Sequence, residues 1–184
     1  VGFRLHASDD SLIDTVEVEN LGYIDESDLS VNTQYIRKVV AYNAFNTSPF
    51  SSTASRYTLA EIPTISEDEI SVSTITLGSG NTSNIDSGSS GLYFNCTGVD
   101  CNSGIGGWVQ TPSDTATGLS ANTEYTFTVK ARNGDSIETS ESSNITKYTL
   151  VETPTISIGD VTMTSINLES SGTSNIGAGS SGLY

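Results

Sequence analysis

Apolar and polar residues alternate along two long stretches of the chain. In the stretch 125–133, Tyr125, Phe127, Val129 and Ala131 fall on one side, and Thr126, Thr128, Lys130 and Arg132 on the other. Period two is the mark of a half-buried strand. A looser copy spans 28–43, and in both copies a Leu precedes a Tyr by six residues across a polar turn, Leu29 with Tyr35 and Leu119 with Tyr125. Shorter runs predict strands at 64–66, 70–77, 92–96, 108–109, 115–119 and 144–149, with a Gly/Ser-rich loop at 78–90. No helical period accompanies them, so the stretch 60–150 predicts two packed antiparallel sheets.

The pattern recurs. Shifting the sequence by 91 residues lays 60–93 on 151–184 without a gap, with 18 of 34 positions identical, including the TSNI and GSSGLY strings. Shifts of 90 or 91 bring Leu29 onto Leu119, Tyr35 onto Tyr125, Asn43 onto Asn133 and Tyr57 onto Tyr148. Three segments follow: 1–59, matching the second half of a repeat; 60–150, a complete repeat; and 151–184, matching the first half of a further one. Short joints containing Pro63 and Pro154 connect them, and proline restricts bending there. In the first segment the phase puts Phe3 and Leu5 inward, with Arg4 and His6 outward. The two halves together make about one repeat. Either the chain is a window on a longer tandem array, or the open segment 151–184 is completed by 1–59 of the next molecule, a head-to-tail contact that propagates as a filament.

Charge narrows the partners. The formal net charge of -15 disfavours nucleic acid, because phosphate repels such a surface. No apolar stretch is long enough to cross a bilayer, so no membrane insertion is expected of this segment. Two cysteines, Cys96 and Cys101, have four residues between them and lack the further Cys or His ligands that zinc needs. They read as a local disulfide of an extracellular or surface protein, or else as two free thiols.

Catalysis finds little support, and the expectation is a protein that is not an enzyme. His6 is the only histidine, and its outward position reads as a solvated surface residue rather than a general base. No phosphate loop, dinucleotide fingerprint or metalloprotease helix is present. Acidic clusters occur at Asp9, Asp10 and Asp14, at Asp25, Glu26 and Asp28, and at Glu67, Asp68 and Glu69. They read as solvated turns; calcium is the one candidate ion, and no cofactor is otherwise expected. Four sequons, at Asn46, Asn81, Asn95 and Asn144, are candidates for N-glycosylation, with Asn95 crowded by Cys96. The Arg132-Asn133-Gly134-Asp135 string reads as a hairpin turn, since Asn-Gly readily supplies positive φ.

In the first copy, Arg37 stands at the inward position of Phe127, while Ile36, Val40 and Tyr42 hold outward positions. That arrangement is either a candidate interface with a neighbouring domain or chain, including lateral self-association, or a local bulge that returns the apolar residues to the core.

The spacing of Leu119, Thr123, Tyr125, Val129, Ala131 and Asn133 resembles the second half of a fibronectin type III domain, with Tyr125 and Tyr35 placed like the tyrosine corner of sandwich domains. The resemblance covers the whole chain and implies an all-β fold of tandem sandwiches, one complete domain flanked by two half-domains. One departure is that the family's core Trp, two residues after Leu77 or Leu168, is replaced by Ser79 or Ser170. Trp108 is the candidate to fill that space. The chain is similar to repeats of secreted bacterial and archaeal surface proteins, which implies a structural, adhesive or spacer module. Three functions follow: a surface filament, sheath or stalk built from copies of itself; a carbohydrate-binding or adhesive module using the loops 78–90 and 169–181; or the non-catalytic spacer of a secreted polysaccharide-degrading enzyme.

Overall fold

The computed structural model describes residues 1–17, 24–98, 101, 104–172 and 174–177. Among these residues there are strands and turns and no helix. Two compact units result: Val1–Glu61 with Ser83–Gly91 and Arg132–Thr139, and Ile62–Thr82 with Leu92–Ala131 and Ser140–Tyr184.

The first unit holds β1 (Gly2–Ala7), β2 (Leu12–Glu17), β3 (Gln34–Tyr42) and β4 (Ala54–Tyr57) in one sheet of order β2-β1-β3-β4. β1 and β3 pair without interruption, from Gly2 opposite Tyr42 to Ala7 opposite Arg37. The unbroken ladder removes the bulge and keeps Arg37 on the face of Val39 and Ala41. Its guanidinium is matched by Glu26, with Nε donating to Oε2 at 2.8 Å and Nη2 to Oε1 at 2.5 Å. The outward stripe is not the open surface that alternation predicts. Val40 is only 6% exposed, Ile36 is half-buried, and Tyr42 lies 4.4 Å beneath the Arg4 guanidinium while its hydroxyl donates to Glu17. His6 also departs from its solvated reading. It is half-buried, edge-on to Phe50 with centroids 5.1 Å apart, and its Nδ1 lies 2.8 Å from the Asp10 carbonyl. A turn at Asp10 (φ 70) brings that carbonyl within reach.

In the second unit, β5 (Thr64–Ile70), β6 (Ile75–Gly80) and β9 (Ser113–Ala116) form one sheet of order β5-β6-β9. β7 (Gly91–Thr97), β8 (Trp108–Val109), β10 (Glu124–Arg132) and β11 (Ile145–Tyr148) form the other, in order β11-β10-β7-β8. This is a fibronectin type III-like sandwich. Ile75, Leu77, Leu92, Phe94, Phe127 and Val129 are fully buried, each with an accessible neighbour on the opposite face. Each such burial is worth about 1.5–3 kcal/mol relative to exposure.

Two expectations are corrected here. The run 70–77 is not one strand: Ile70 closes β5 and Ile75 opens β6. Ser71 makes the break, its Oγ accepting from the backbone N–H of Ser73 at 3.1 Å and of Thr74 at 2.9 Å. Such side-chain capture offers the backbone an alternative to the ladder. Trp108 does not fill the core. It pairs opposite Tyr93 on the outer face, ring centroids 5.5 Å apart, beneath the Lys130 ammonium. Cys96 and Cys101 are instead buried and joined as a disulfide.

β12 (Thr155–Val161) and β13 (Ile166–Ser171) form a two-stranded hairpin in the second unit, from Thr155 opposite Ser171 to Val161 opposite Ile166. The GSSGLY string at 179–184 lies outside the described residues.

Candidate functional site

The tyrosine corner forms twice. The Ser120 N–H donates to the Tyr125 hydroxyl at 2.9 Å, and the Ser30 N–H donates to that of Tyr35 at the same distance. Between Leu and Tyr the chain passes through a left-handed residue, Asn122 (φ 46) or Asn32 (φ 44). Asn tolerates that conformation better than most residues. A threonine then braces each loop from below. Thr149 Oγ1 donates to the Ser120 carbonyl and accepts from the Thr123 N–H, and Thr58 does the same for Ser30 and Thr33.

The TSNI string meets this corner loop. In the first unit, Asn32 Nδ2 donates to the Asn84 carbonyl at 2.7 Å, while Asn84 Nδ2 donates to the Val31 carbonyl at 3.0 Å and to Thr33 Oγ1 at 3.1 Å. Within the second unit the same joint recurs. Asn122 Nδ2 donates to the Asn175 carbonyl at 2.6 Å, and Asn175 Nδ2 donates to the Ala121 carbonyl and to Thr123 Oγ1, both at 3.0 Å. Asn84 and Asn175 are themselves left-handed, at φ 54 and 56, so one residue turns the loop and offers both its carbonyl and its amide. Asn32 is fully buried and Asn122 is 7% exposed. A buried amide is stable only when its groups are paired, and this geometry supplies the partners.

The Arg-Asn-Gly-Asp string belongs to the same joint. Asn133 is fully buried; its Oδ1 accepts from the Asp135 and Ile137 N–H groups and its Nδ2 donates to the Thr58 carbonyl. The Gly134 N–H donates to Asn32 Oδ1 at 3.0 Å. Asn-Gly does not supply the positive φ here, because Ser136 (φ 64) takes it while the Asn133 side chain ties the turn. Gly134 is needed for closeness instead: a Cβ there would lie 2.4 Å from the Tyr57 ring. Asp135 Oδ2 accepts from the Tyr57 N–H at 3.0 Å and lies 3.7 Å from Arg56, so this carboxylate is occupied within its own unit.

The remaining candidates are spread out. Asn46, Asn81 and Asn144 are exposed and Asn95 is half-buried; Asn81 Nδ2 donates to the Ile62 carbonyl at 3.3 Å. Among the described residues no group of three His, Cys, Asp or Glu side chains gathers where it could hold an ion. In the acidic clusters, Asp9 accepts from the hydroxyl and N–H of Ser11, which hold its carboxyl below the usual range. Asp10 pairs with Lys38. Glu67 pairs with Lys147 at 2.6 Å, and that hydrogen bond lowers its pKa.

Sequence reasoning recognised the recurrence of TSNI but missed what it binds. The signal was available in the equal spacing of the asparagines, since Asn32 and Asn122 recur at 90 residues and Asn84 and Asn175 at 91. Asp135 carried no comparable pattern, and the recurrence of Tyr57 at Tyr148 did not point to its contact with Gly134.

The chain matches no protein-family model and no curated protein. Among solved structures it is similar to the chicken CNTN1 FN1–FN3 domains, at 24% identity and a TM-score of 0.41, covering 81% of this chain and 55% of that one. It is similar to domains A168–A170 of titin, at 15% identity and a TM-score of 0.42, covering 80% and 54%. It is also similar to a two-domain fibronectin type III segment of chicken tenascin, at 17% identity and a TM-score of 0.46, covering 80% and 82%. The chain spans about half the length of the first two.

Proposed function

We propose that the chain is a structural module of an extracellular filament, sheath or stalk on a prokaryotic surface, built as a linear array of sandwich repeats. The observation that supports this reading is the joint made twice from the same residues, Asn32 with Asn84 and Asn122 with Asn175. A loop reserved for a ligand has no reason to spend its tip on the protein's own backbone. In the loop 78–90, Asn84 binds the corner, and the Ser90 hydroxyl bonds the Asn84 and Ser87 carbonyls. The adhesive and carbohydrate-binding readings are correspondingly less favoured. The buried disulfide suits an oxidising compartment.

Electron microscopy of the native assembly tests the proposal. Continuous filaments with an axial repeat of domain size are expected, on the outside of the cell. Isolated short rods would overturn it in favour of a spacer or binding module.

A further inference from the structure

Asn133-Gly134 is the only Asn-Gly pair in the chain. Asparagine is labile before glycine, because the following backbone nitrogen can close on the side-chain carbonyl carbon and no Cβ hinders its approach. Both residues are demanded by the fold. The Asn133 carboxamide ties the turn through the N–H groups of Asp135 and Ile137, and Gly134 leaves room for the Tyr57 ring, which a Cβ would meet at 2.4 Å. At the counterpart position Asn43 ties its turn in the same way, through the N–H groups of Phe45 and Asn46, but Ala44 follows it. The lability is therefore peculiar to the turn that packs on Tyr57.

Ring closure makes three demands, and the first unit opposes each. The Gly134 nitrogen must surrender its proton to a base from solvent, yet that N–H donates to Asn32 Oδ1 at 3.0 Å, and Asn32 and Asn133 are both fully buried. The Asn133 carboxamide must rotate, yet its Oδ1 accepts at 3.1 and 2.8 Å and its Nδ2 donates to the Thr58 carbonyl at 3.1 Å. The backbone of Gly134 must swing, yet the Tyr57 ring stands against it. Of these contacts only the one from Asn32 engages the attacking nitrogen itself.

We propose that Asn133 is a latent deamidation site and that Asn32 keeps it closed. When the joint opens, the Gly134 nitrogen loses its proton and bonds with its electron pair to Asn133 Cγ. The Cγ–Nδ2 bond breaks, and Nδ2 takes up a proton and leaves as ammonia. Water then opens the resulting succinimide. Attack at Cγ gives aspartate, and attack at the backbone carbonyl carbon gives isoaspartate, so one water is consumed for each ammonia released. The change is one-way: a carboxylate at 133 has no amide for the Thr58 carbonyl and brings a charge into a buried place, so the joint cannot close as before.

Peptide mapping by mass spectrometry, with isoaspartate detection, tests this on the full chain during incubation in mildly alkaline buffer. The folded unsubstituted chain is expected to modify Asn133 far more slowly than the same chain in urea. Asn32→Ala is expected to speed the modification by about ten- to a hundredfold, the change in open population that loss of one buried partner brings. Asn122→Ala makes the same change in the joint of the second unit and is expected to leave the Asn133 rate unchanged. Equal rates in buffer and urea, a folded Asn32→Ala variant no faster than the unsubstituted chain, or an Asn122→Ala variant as fast as Asn32→Ala would each overturn the proposal. If Asn32→Ala does not fold, hydrogen exchange of the Gly134 N–H in the unsubstituted chain decides instead. Slow exchange is expected, and exchange as fast as in urea would overturn the role of Asn32.

Discussion

Asn32 and Asn84 hold each other's loops in opposite directions: the amide of Asn32 reaches the Asn84 carbonyl at 2.7 Å, and the amide of Asn84 returns to the Val31 carbonyl at 3.0 Å. Neither residue replaces the other, because each supplies an amide donor to a backbone carbonyl in the other's loop, Asn32 to that of Asn84 and Asn84 to that of Val31.

Replacing either asparagine is expected to cost more than one ordinary hydrogen bond. Asn32→Ala removes the amide that meets Asn84 and also the oxygen that accepts the Gly134 N–H at 3.0 Å. Unpaired groups in such a place cost about 1–3 kcal/mol each. The single variants should each lower stability in urea unfolding. The double variant should lose less than their sum, with a coupling of about 0.5–3 kcal/mol. Strict additivity would mean that the two residues act independently.

Gly134 and Tyr57 form a tighter constraint. A Cβ at position 134 would fall 2.4 Å from the ring, well inside contact distance. Gly134→Ala should therefore displace the ring and destabilise by about 1–3 kcal/mol, the usual cost of overpacking. With Tyr57→Ala in the background the same change should cost much less. Thermal unfolding of the four-member cycle measures this, and an equal penalty in both backgrounds would remove the steric account.

The complete sandwich was legible because every second residue of β10 is buried, from Tyr125 to Ala131, and because the Leu–Tyr spacing fixes the corner. Legibility failed where side chains redirect the backbone. Ser71 ends a run whose alternation would otherwise continue, and Ser136 rather than Gly134 takes the positive φ because Asn133 ties the turn from within. Trp108 could not be assigned to a face from two strand residues, since a single-residue shift moves a side chain to the opposite side. The joints were half legible: repetition pointed to the loop, but the partner of each asparagine lies more than fifty residues away.

The disulfide should stabilise the second unit through the unfolded chain. Cys96 and Cys101 are separated by five positions, and closing so short a loop is worth about 2 kcal/mol on chain-entropy grounds. Both residues are buried, so the paired change to serine also places two hydroxyls where sulfur was. The paired change to alanine is the cleaner test. It should lower the unfolding midpoint of the non-reduced protein by the same amount that reduction lowers it in the unsubstituted chain. A reducing agent without effect on the unsubstituted midpoint would show that the bridge does not contribute.

Glu67 and Lys147 make the acid response of the second unit partly predictable. The hydrogen bond from Lys147 is the chief cause of the lowered Glu67 pKa, with its charge acting in the same direction and burial opposing. The native state therefore holds the Glu67 carboxylate more firmly than the unfolded chain does. Its contribution to stability is full above the ordinary carboxyl pKa of 4.5 and is lost as pH falls through the lower native value. Lys147→Met should raise the Glu67 pKa, followed by carboxyl carbon NMR, and should reduce stability above pH 4.5 while leaving strongly acidic unfolding almost unchanged. Both side chains keep about a third of their exposure, so the effect should also weaken as salt is added. An NMR titration unmoved by the substitution would show that Lys147 does not set the proton affinity of Glu67.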